Sequence, residues 1–403
     1  MNNLAQNCPQ KKPAISELEF VLLTAFLMAL VALSIDMMLP ALPIMSDELN
    51  VARENDIQLV ISVLFLGMTL AQFFYGPVSD RIGRKPTAAI GILIFFSGSL
   101  LSTFTHDFHL MLLGRLIQGI GVAAMKVVVI ALIRDQYDEV PMARIISLSM
   151  SVFILVPCVA PVMGQAVLAV AHWRIIFAIF ALLALVMLAW FWMRQEETLA
   201  ESARIPINLE TTWAGVSETC RNPTSLRFTL AAGLVNGAFV GFLVTCAQIF
   251  FGIYASGQLF ALYFAILSLS MGAAFILNAK FVKRLGTRPL SKLSMLATVV
   301  LSSLLLLFYL ALKGNPPLWL FMSVMVVMFF FTGFAFGNLN AIAMNPLGHI
   351  AGVAASTQGL LNGVVTILVC SIVGFAYNDT IVSLALGFLV ANALGVMITR
   401  NAP

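Results

Sequence analysis

The sequence is dominated by long apolar stretches that carry no charged side chain. Two of them, Leu59 to Tyr75 and Thr87 to Thr105, lie on either side of a short charged segment. Each approaches the ~20 apolar residues that an α-helix needs to cross a lipid bilayer. The chain is 61% hydrophobic and only 10% charged, whereas soluble domains contain roughly 25% charged residues. The sequence therefore predicts an all-α integral membrane protein.

Similar stretches recur along the chain and predict twelve transmembrane helices. The predicted spans cover residues 18–40, 57–76, 87–105, 109–133, 145–167, 173–193, 226–250, 258–279, 290–312, 317–342, 353–376 and 380–399. The longest polar interruption lies midway, between Arg194 and Arg227. We therefore expect an N-terminal six-helix bundle in residues 1–193, a central cytoplasmic loop in 194–225 and a C-terminal six-helix bundle in 226–403.

The positions of the positive charges predict the orientation of these spans. Seventeen of the 22 Lys and Arg residues fall in segments predicted to be cytoplasmic, and three, Arg53, Arg174 and Lys313, fall in outer segments. Loops that stay in the cytoplasm carry such an excess of Lys and Arg. We expect both termini to be cytoplasmic, a bacterial inner-membrane location, and a first apolar run that is retained as a span instead of being cleaved as a signal peptide.

Several classes of function are excluded by what the sequence lacks. Its five cysteines are scattered and none are spaced as Cys-x-x-Cys, so we expect neither a disulfide framework nor a metal site. There is no Gly-x-x-x-x-Gly-Lys-Ser/Thr loop for a nucleotide and no basic run for nucleic acid. We expect no cofactor and no enzymatic activity. We expect a monomer whose partners are lipid, protons and a small-molecule substrate.

The charged segment between the second and third predicted spans contains, in order, Gly76, Asp80, Arg81, Gly83 and Arg84. We expect a short cytoplasmic loop in which Gly76 and Gly83 allow tight turns. Asp80 is suited either to lie near a helix end or to pair with an arginine, and the planar guanidinium of Arg84 is suited to hold a carboxylate. The segment is either a gate that favours one conformation or a loop that serves only to fix topology.

Part of this segment is repeated in the second half of the chain. Arg81–Pro86 is echoed by Arg284–Pro289, which also falls between the second and third spans of its half. Lys283 replaces the acidic Asp80 in the second copy. Parallel six-span repeats of this kind are an architecture of membrane transporters.

The pattern Gly-x-x-Ser-Asp-Arg-x-Gly-Arg-Lys resembles the signature loop of the major facilitator superfamily. Five further motifs resemble the bicyclomycin- and chloramphenicol-resistance branch of its twelve-span drug:proton antiporters, and they span nearly the whole chain: Leu33–Pro43, Arg115–Gly121, Pro157–Gly164, His172–Phe177 and Ala351–Ser356. The resemblance implies two pseudo-symmetric six-helix bundles that open alternately to either side of the membrane. It also implies export of amphiphilic molecules or drugs in exchange for protons.

Two ionisable residues within predicted spans are candidates for proton coupling. Asp36 is the only acid well inside a span, and charged groups at membrane depth are costly and tend to be functional. The alternative is that Asp36 only caps the first span. Arg115 has, by the resemblance, the role of coupling protonation to substrate; the alternative is that it fixes its helix through backbone carbonyls.

Lys126 is a departure from the family pattern, which has a small or apolar residue there. It lies eleven residues after Arg115, about three helical turns on, and Gly119 and Val122 are expected on the same face. A cavity with this additional cation would favour an anionic or zwitterionic substrate. The alternative is that the lysine extends to the membrane interface.

The remaining candidate residues are polar, aromatic or helix-bending. Candidates for the substrate cavity are Phe153, Ile154, Asn236, Phe239, Phe242, Cys246, Gln358 and Asn362. The amides among them either bind substrate or join helices. Pro157, Pro161 and Gly164 are expected to interrupt the fifth span, either as a preset bend for conformational change or as an ordinary membrane-helix kink.

The sequence thus predicts a proton-coupled exporter, with two rivals that share the fold. One is an exporter of an anionic metabolite, for example a polycarboxylate siderophore, for which Lys126 is the argument. The other is an uptake symporter, which the proline and glycine motif of the fifth span argues against. A channel or an intramembrane enzyme would need a continuous polar pore or a catalytic cluster, and neither is found in the sequence.

Overall fold

A computed structural model describes residues 15–137, 139–204 and 209–400, without the side chains of 139–141, 143–144, 146–147, 150–154, 203, 209 and 211–212. All regular structure in these ranges is helical. The α-helices are α1 Glu17–Asp36, α2 Leu42–Glu48, α3 Leu59–Ile82, α4 Arg84–Phe104, α5 Phe108–Gln136, α6 Glu139–Val170, α7 Arg174–Arg194, α8 Leu209–Arg221, α9 Pro223–Ala247, α10 Phe260–Leu285, α11 Thr287–Ala311, α12 Leu318–Met344, α13 Ala351–Phe375 and α14 Val382–Thr399.

Polar residues fix the starts of several of these helices. The side chain of Asp107 accepts a hydrogen bond from Leu110 N at the start of α5, and Asn222 does the same for Ser225 N at the start of α9. Such caps satisfy backbone N–H groups that have no partner inside the helix. Pro223 is the first residue of α9, where its missing N–H is not needed.

Ten segments of the described chain are long and apolar enough to cross a membrane. One of these segments, Leu318–Phe375, contains both α12 and α13, and α6 contributes only the shorter apolar stretch Leu155–Val170. The prediction of an all-α, multi-pass membrane protein is confirmed. The count of twelve spans stays a prediction.

The two copies of the repeated segment have the same backbone geometry. Gly83 separates α3 from α4 with φ +106°, and Gly286 separates α10 from α11 with φ +83°. Only glycine adopts such angles without strain. The sequence expectation of a loop from Gly76 onward is wrong, however, because α3 continues through Gly76 to Ile82. The turn is a single residue wide.

The helices pack mainly within two groups. Helices α1 and α3–α7 form the first group and α9–α14 the second, and the groups meet along α3 with α13 and along α6 with α10. Gly363 and Gly359 of α13 lie against Thr69 and Gln72 of α3, and small residues allow such close helix contacts in membranes. We call the end at which α3 begins the Asn55 end, and the opposite end the Gly83 end.

Candidate functional site

Asp36 lies at the boundary between the two helix groups. It is the last residue of α1, and its side chain is only 5% exposed. The chain then continues in a short 3₁₀ turn, Leu39–Ala41, that contains Pro40. This turn contacts both α6 and α9. Because α9 belongs to the second group, the only predicted acid at membrane depth faces both halves of the molecule.

The contact between α1 and α6 fixes the backbone beside this carboxylate. A Cβ atom at Gly164 would overlap the carbonyl oxygen of Met37, which follows Asp36. Glycine therefore lets α6 pack directly against the end of α1. The helix is not broken here, because α6 runs from Glu139 to Val170 with Pro157 and Pro161 inside it. The expected bend at these residues stays a prediction.

Arg115 is fully buried and bonded only to neutral groups. Its Nε donates to Val60 O at 2.9 Å, one terminal nitrogen donates to Ser34 O at 2.9 Å, and the other donates to Gln118 Oε1 at 2.6 Å. These bonds tie α5 to α3 and to α1. Arg115 forms no ion pair with Asp36, so the geometry matches the alternative in which the arginine holds helices in position.

Lys126 is part-exposed, and its ammonium group makes no hydrogen bond or ion pair with any described residue. The two residues expected to share a cavity face with it are packed instead. A Cβ at Gly119 would overlap the carbonyl oxygen of Leu64 on α3, and Val122 is completely buried. In this conformation neither residue lines a cavity, so their role in substrate binding stays a prediction.

The aromatic candidates lie inside the second group. Phe242 is fully buried and contacts the rings of Phe264 and Phe329, and Phe239 contacts Phe329 from a half-buried position. Cys246 is also fully buried. These side chains belong to the apolar core of the second group.

The amide candidates bind one another or the backbone. Asn236 Nδ2 donates to Thr366 Oγ1 at 3.0 Å and to Asn362 Oδ1 at 3.5 Å, which joins α9 to α13. Gln358 Nε2 donates to Ser225 Oγ and to Ala343 O, both at 2.9 Å. The geometry therefore matches the helix-joining alternative. The side chains of Phe153 and Ile154 lie outside the described residues.

An ionic cluster surrounds Arg84 at the Gly83 end. The Arg84 side chain is only 4% exposed, and it donates to Asp80 at 2.5 Å, to Ser79 at 3.0 Å and to Asp135 on α5 at 2.8 Å. The expected pairing of Asp80 with an arginine and of Arg84 with a carboxylate is confirmed. Arg81 is exposed. All three partners of Arg84 belong to the first group.

The segment after α7 completes this cluster, and sequence reasoning missed it. The Glu197 carboxylate accepts hydrogen bonds from Arg84 N at 2.9 Å and Lys85 N at 3.0 Å, at the start of α4. Thr198 donates to Asp135 at 3.2 Å. A carboxylate at a helix N-terminus satisfies free N–H groups and the helix dipole. No local signal marks Glu197, since it lies more than 100 residues from its partners.

Three side-chain amides connect the two groups at the Asn55 end, and we call Asn55, Gln58 and Gln248 the amide bridge. Gln58 Nε2 donates to Gln248 Oε1, Gln248 Nε2 donates to Asn55 Oδ1 at 3.2 Å, and Asn55 Nδ2 donates to Tyr377 O at 2.8 Å. Across the second boundary, Gln165 of α6 donates to Gly257 O at 2.6 Å. Sequence reasoning missed these residues too.

The conformation is closed at the Asn55 end. All hydrogen bonds between a described residue of the first group and a described residue of the second lie there. Beside the amide bridge is a surface cavity of about 570 Å³ that includes Glu54, Asp56 and Asp379. Burial and the carboxylates of Asp379 and Glu54 raise the pKa of Tyr377 in its wall. Arg53 also lines the cavity and pairs with Asp56, so the lining keeps a net negative charge from Glu54 and Asp379, and it does not include Asp36.

Comparison with known proteins identifies the family. Residues 24–370 match the family model described as Major Facilitator Superfamily. The chain is 26% identical to an uncharacterized MFS-type transporter, YdgK, of Bacillus subtilis, over 88% of this chain and 89% of the relative. It is 27% identical to a bicyclomycin resistance protein homolog of Haemophilus influenzae, over 90% of each.

Two further similarities are partial or remote. The multidrug resistance protein MdtL of Salmonella schwarzengrund is 37% identical over 158 residues, 39% of this chain and 40% of that protein. The crystal structure of the human organic anion transporter MFSD10 covers 96% of this chain and 100% of its own, with a TM-score of 0.70 at 16% identity. The sequence resemblance is confirmed, and the relatives are transporters instead of enzymes. The chain belongs to the Major Facilitator Superfamily.

Proposed function

We propose that this protein is a proton-coupled secondary transporter that exports small molecules by alternating access. The observation that carries the proposal is the position of Asp36, a nearly buried carboxylate at membrane depth between two helix groups. The charged form of Asp36 is costly at that depth. The free energy of proton binding therefore depends strongly on the surroundings of the carboxylate. Because the Asp36 carboxylate lies where the two helix groups meet, the free energy of proton binding can change when the helix groups rearrange.

The proposed topology has twelve spans in two six-helix bundles, the first within residues 1–193 and the second within 226–403, joined by a cytoplasmic segment. The protein would be a monomer in a bacterial inner membrane. The Gly83 end is cytoplasmic and the Asn55 end is outside, which agrees with the excess of Lys and Arg in segments at the Gly83 end. Packing within two groups that meet along two helix pairs supports this division.

In this topology the described conformation faces inward. The amide bridge and Gln165 close the outer side. Export requires a second state in which these bonds are broken and the inner side closes. A proton and a substrate drive the exchange only through their different affinities for the two states, so protonation of Asp36 must favour one of them.

The names of two relatives support the substrate class. The Haemophilus relative is called a bicyclomycin resistance protein homolog and the Salmonella relative a multidrug resistance protein. We therefore infer that substrates are small amphiphilic molecules or drugs. Uptake in symport with protons is the alternative direction, and the same fold permits it.

Inside-out membrane vesicles test this function. Acidifying the vesicle interior should drive a panel of drugs and metabolites into the vesicles, and a protonophore should stop the uptake. Vesicles without the protein are the control. Transport that ignores the pH gradient would contradict proton coupling, and movement of substrate in the same direction as protons would establish symport.

The Arg84 cluster gives a prediction about stability. The Asp135 side chain is 15% exposed, whereas that of Asp80 is 43% exposed. Asp135→Asn should weaken a buried charged hydrogen bond of ~1.5–3 kcal/mol, while the more exposed pair is worth less than about 1 kcal/mol. We expect a lower unfolding midpoint for Asp135→Asn than for Asp80→Asn in the purified protein.

The same two variants separate stability from transport. Both carboxylates lie at the Gly83 end, away from Asp36, so substrate affinity should stay at the wild-type value while turnover falls. Arg81→Gln is a matched control, because that arginine is exposed. Equal midpoints for Asp80→Asn and Asp135→Asn, or unchanged turnover in both, would limit the cluster to a topology signal.

A further inference from the structure

Lys126 and Arg115 lie on the same face of α5 but have opposite environments. Eleven residues correspond to about three turns, an offset of about 20° around the helix and about 16 Å along it. At the level of Arg115, carbonyl groups of α1 and α3 reach that face and bind the guanidinium. At the level of Lys126 no described group binds the ammonium, and the side chain is part-exposed. The packing around α5 therefore opens toward the Gly83 end.

The helix geometry argues against a lysine that extends to the membrane interface. Lys126 lies ten residues before the end of α5 at Gln136, which is about 15 Å along the axis. Cα–Cβ bonds tilt toward the N-terminus of a helix, and the N-terminus of α5 is at the Asn55 end. The Cα–Cβ bond of Lys126 is thus directed toward the interior, away from the nearer interface.

An exposed stripe connects Lys126 to the Gly83 end. Ile130 and Arg134 follow at intervals of four residues and are both exposed, with Ile130 44% accessible. The stripe begins about 20° around the helix from Arg115, whose guanidinium reaches both α1 and α3. Both neighbours contact the second group, α3 through α13 and the turn that follows α1 through α9, so the side of α5 that Arg115 shares with them is directed toward the boundary between the groups.

The second group has a matching stripe on α12. Gly337, Asn340 and Ala341 are exposed at a comparable distance from the Gly83 end, and nothing lies within 4 Å of a Cβ placed on Gly337. Of their neighbours on α12, Leu339 packs with residues of α9 and Asn338 exchanges hydrogen bonds with Asn278 of α10. No charged side chain belongs to this stripe, so Lys126 is the deepest charge between the two stripes.

We propose that Lys126 binds an anionic group of the substrate, a carboxylate by preference, in a central cleft open at the Gly83 end. The proposal rests on the proposed function and names its substrate class. An unpaired ammonium in a site of low dielectric attracts anions and repels cations far more strongly than it would in water. Arg115 is held by its own helix contacts, which leaves Lys126 as the cation available to a ligand.

Binding measurements on the purified, full-length protein test this inference. The probes are benzoate, phthalate and citrate, each with its fully methylated ester (methyl, dimethyl and trimethyl), which is similar in shape and has no charge. Wild-type protein should prefer the acids to their esters. Lys126→Met should weaken binding of the preferred acid by about tenfold or more and leave the ester unchanged. Lys126→Arg should keep most of the preference.

Two controls keep the result interpretable. Lys280→Met removes an exposed charge of α10 and should leave both affinities unchanged. A Lys126→Cys variant should react with a membrane-impermeant thiol reagent added from the Gly83 side, beyond the labelling of the natural cysteines. No preference for acids in the wild type, equal losses for acid and ester, or a cysteine that does not react would each overturn the proposal.

The outcome is separable from that of the proposed function. If the Lys126→Met variant no longer binds the acids but still transports neutral or cationic drugs with the pH gradient, both proposals stand. If proton-driven transport persists with no change in preference, the anion site is wrong and the transport function stands. Wild-type vesicles without any proton-driven transport would overturn the proposed function itself.

Discussion

Asp36→Asn is expected to leave the protein folded and to reduce gradient-driven transport to the level of vesicles without the protein. Asparagine has nearly the same shape as aspartate, but its amide stays neutral and cannot carry a proton. The side chain sits at the end of α1 beside the closely packed Met37 and Gly164. A substitution that preserves volume should therefore keep the contact between α1 and α6.

The decisive comparison is between driven transport and exchange. With equal pH on both sides, the variant should still exchange labelled for unlabelled substrate, because movement between the two states does not require a proton gradient. Its transport should also no longer respond to pH. Ser34→Ala removes a buried hydroxyl of α1 whose only described hydrogen bond is to its own helix, and is a matched control. Full gradient-driven transport by Asp36→Asn would place the proton site elsewhere.

The sequence predicted the parts of this structure that depend on local pattern. Apolar length marks the membrane helices. The repeated glycines at 83 and 286 both have positive φ, as expected where a helix must turn within one residue. The pairing of Asp80 with an arginine was also predictable, since a carboxylate and a guanidinium on either side of a short turn are close together and form a strong charged hydrogen bond.

The sequence could not predict which polar residues pair across long distances. Asn236 and Gln358 were equally suited to bind substrate or another helix. Only the positions of Thr366 and Ser225 in the fold decide between these two roles. The amide bridge joins residues about 190 positions apart, and its members lie at the ends of spans, where polar residues are common. Their role depends on the three-dimensional arrangement of the groups.

Covalent closure of the amide bridge is expected to stop transport. In a Gln58→Cys/Gln248→Cys variant, a short cleavable bis-methanethiosulfonate reagent would link the start of α3 to the end of α9. If the outer side must open in every cycle, the joined protein should transport no faster than vesicles without protein. A reducing agent should restore transport by cleaving the link.

The physical reason lies in the weakness of the natural contact. Each neutral hydrogen bond contributes only ~0.5–1.5 kcal/mol, so the amide bridge can open thermally, whereas a covalent link cannot. Gln58→Ala should accordingly shift the balance toward the state that is open at the Asn55 end by about two- to tenfold. That shift can be measured as faster labelling of a cysteine placed inside the outer mouth.

A matched pair within the second group separates closure from general damage. Asn315 contacts Asp379 O and Ile381 N, so Asn315→Cys/Thr380→Cys places two thiols at the same end without bridging the groups. The same reagent should join this pair and leave transport intact. The single variants and the wild type, with its natural cysteines, should also be unaffected by the reagent. Undiminished transport by a fully joined Gln58 and Gln248 variant would mean that the halves do not separate at the Asn55 end, and the alternating-access proposal would fail with it.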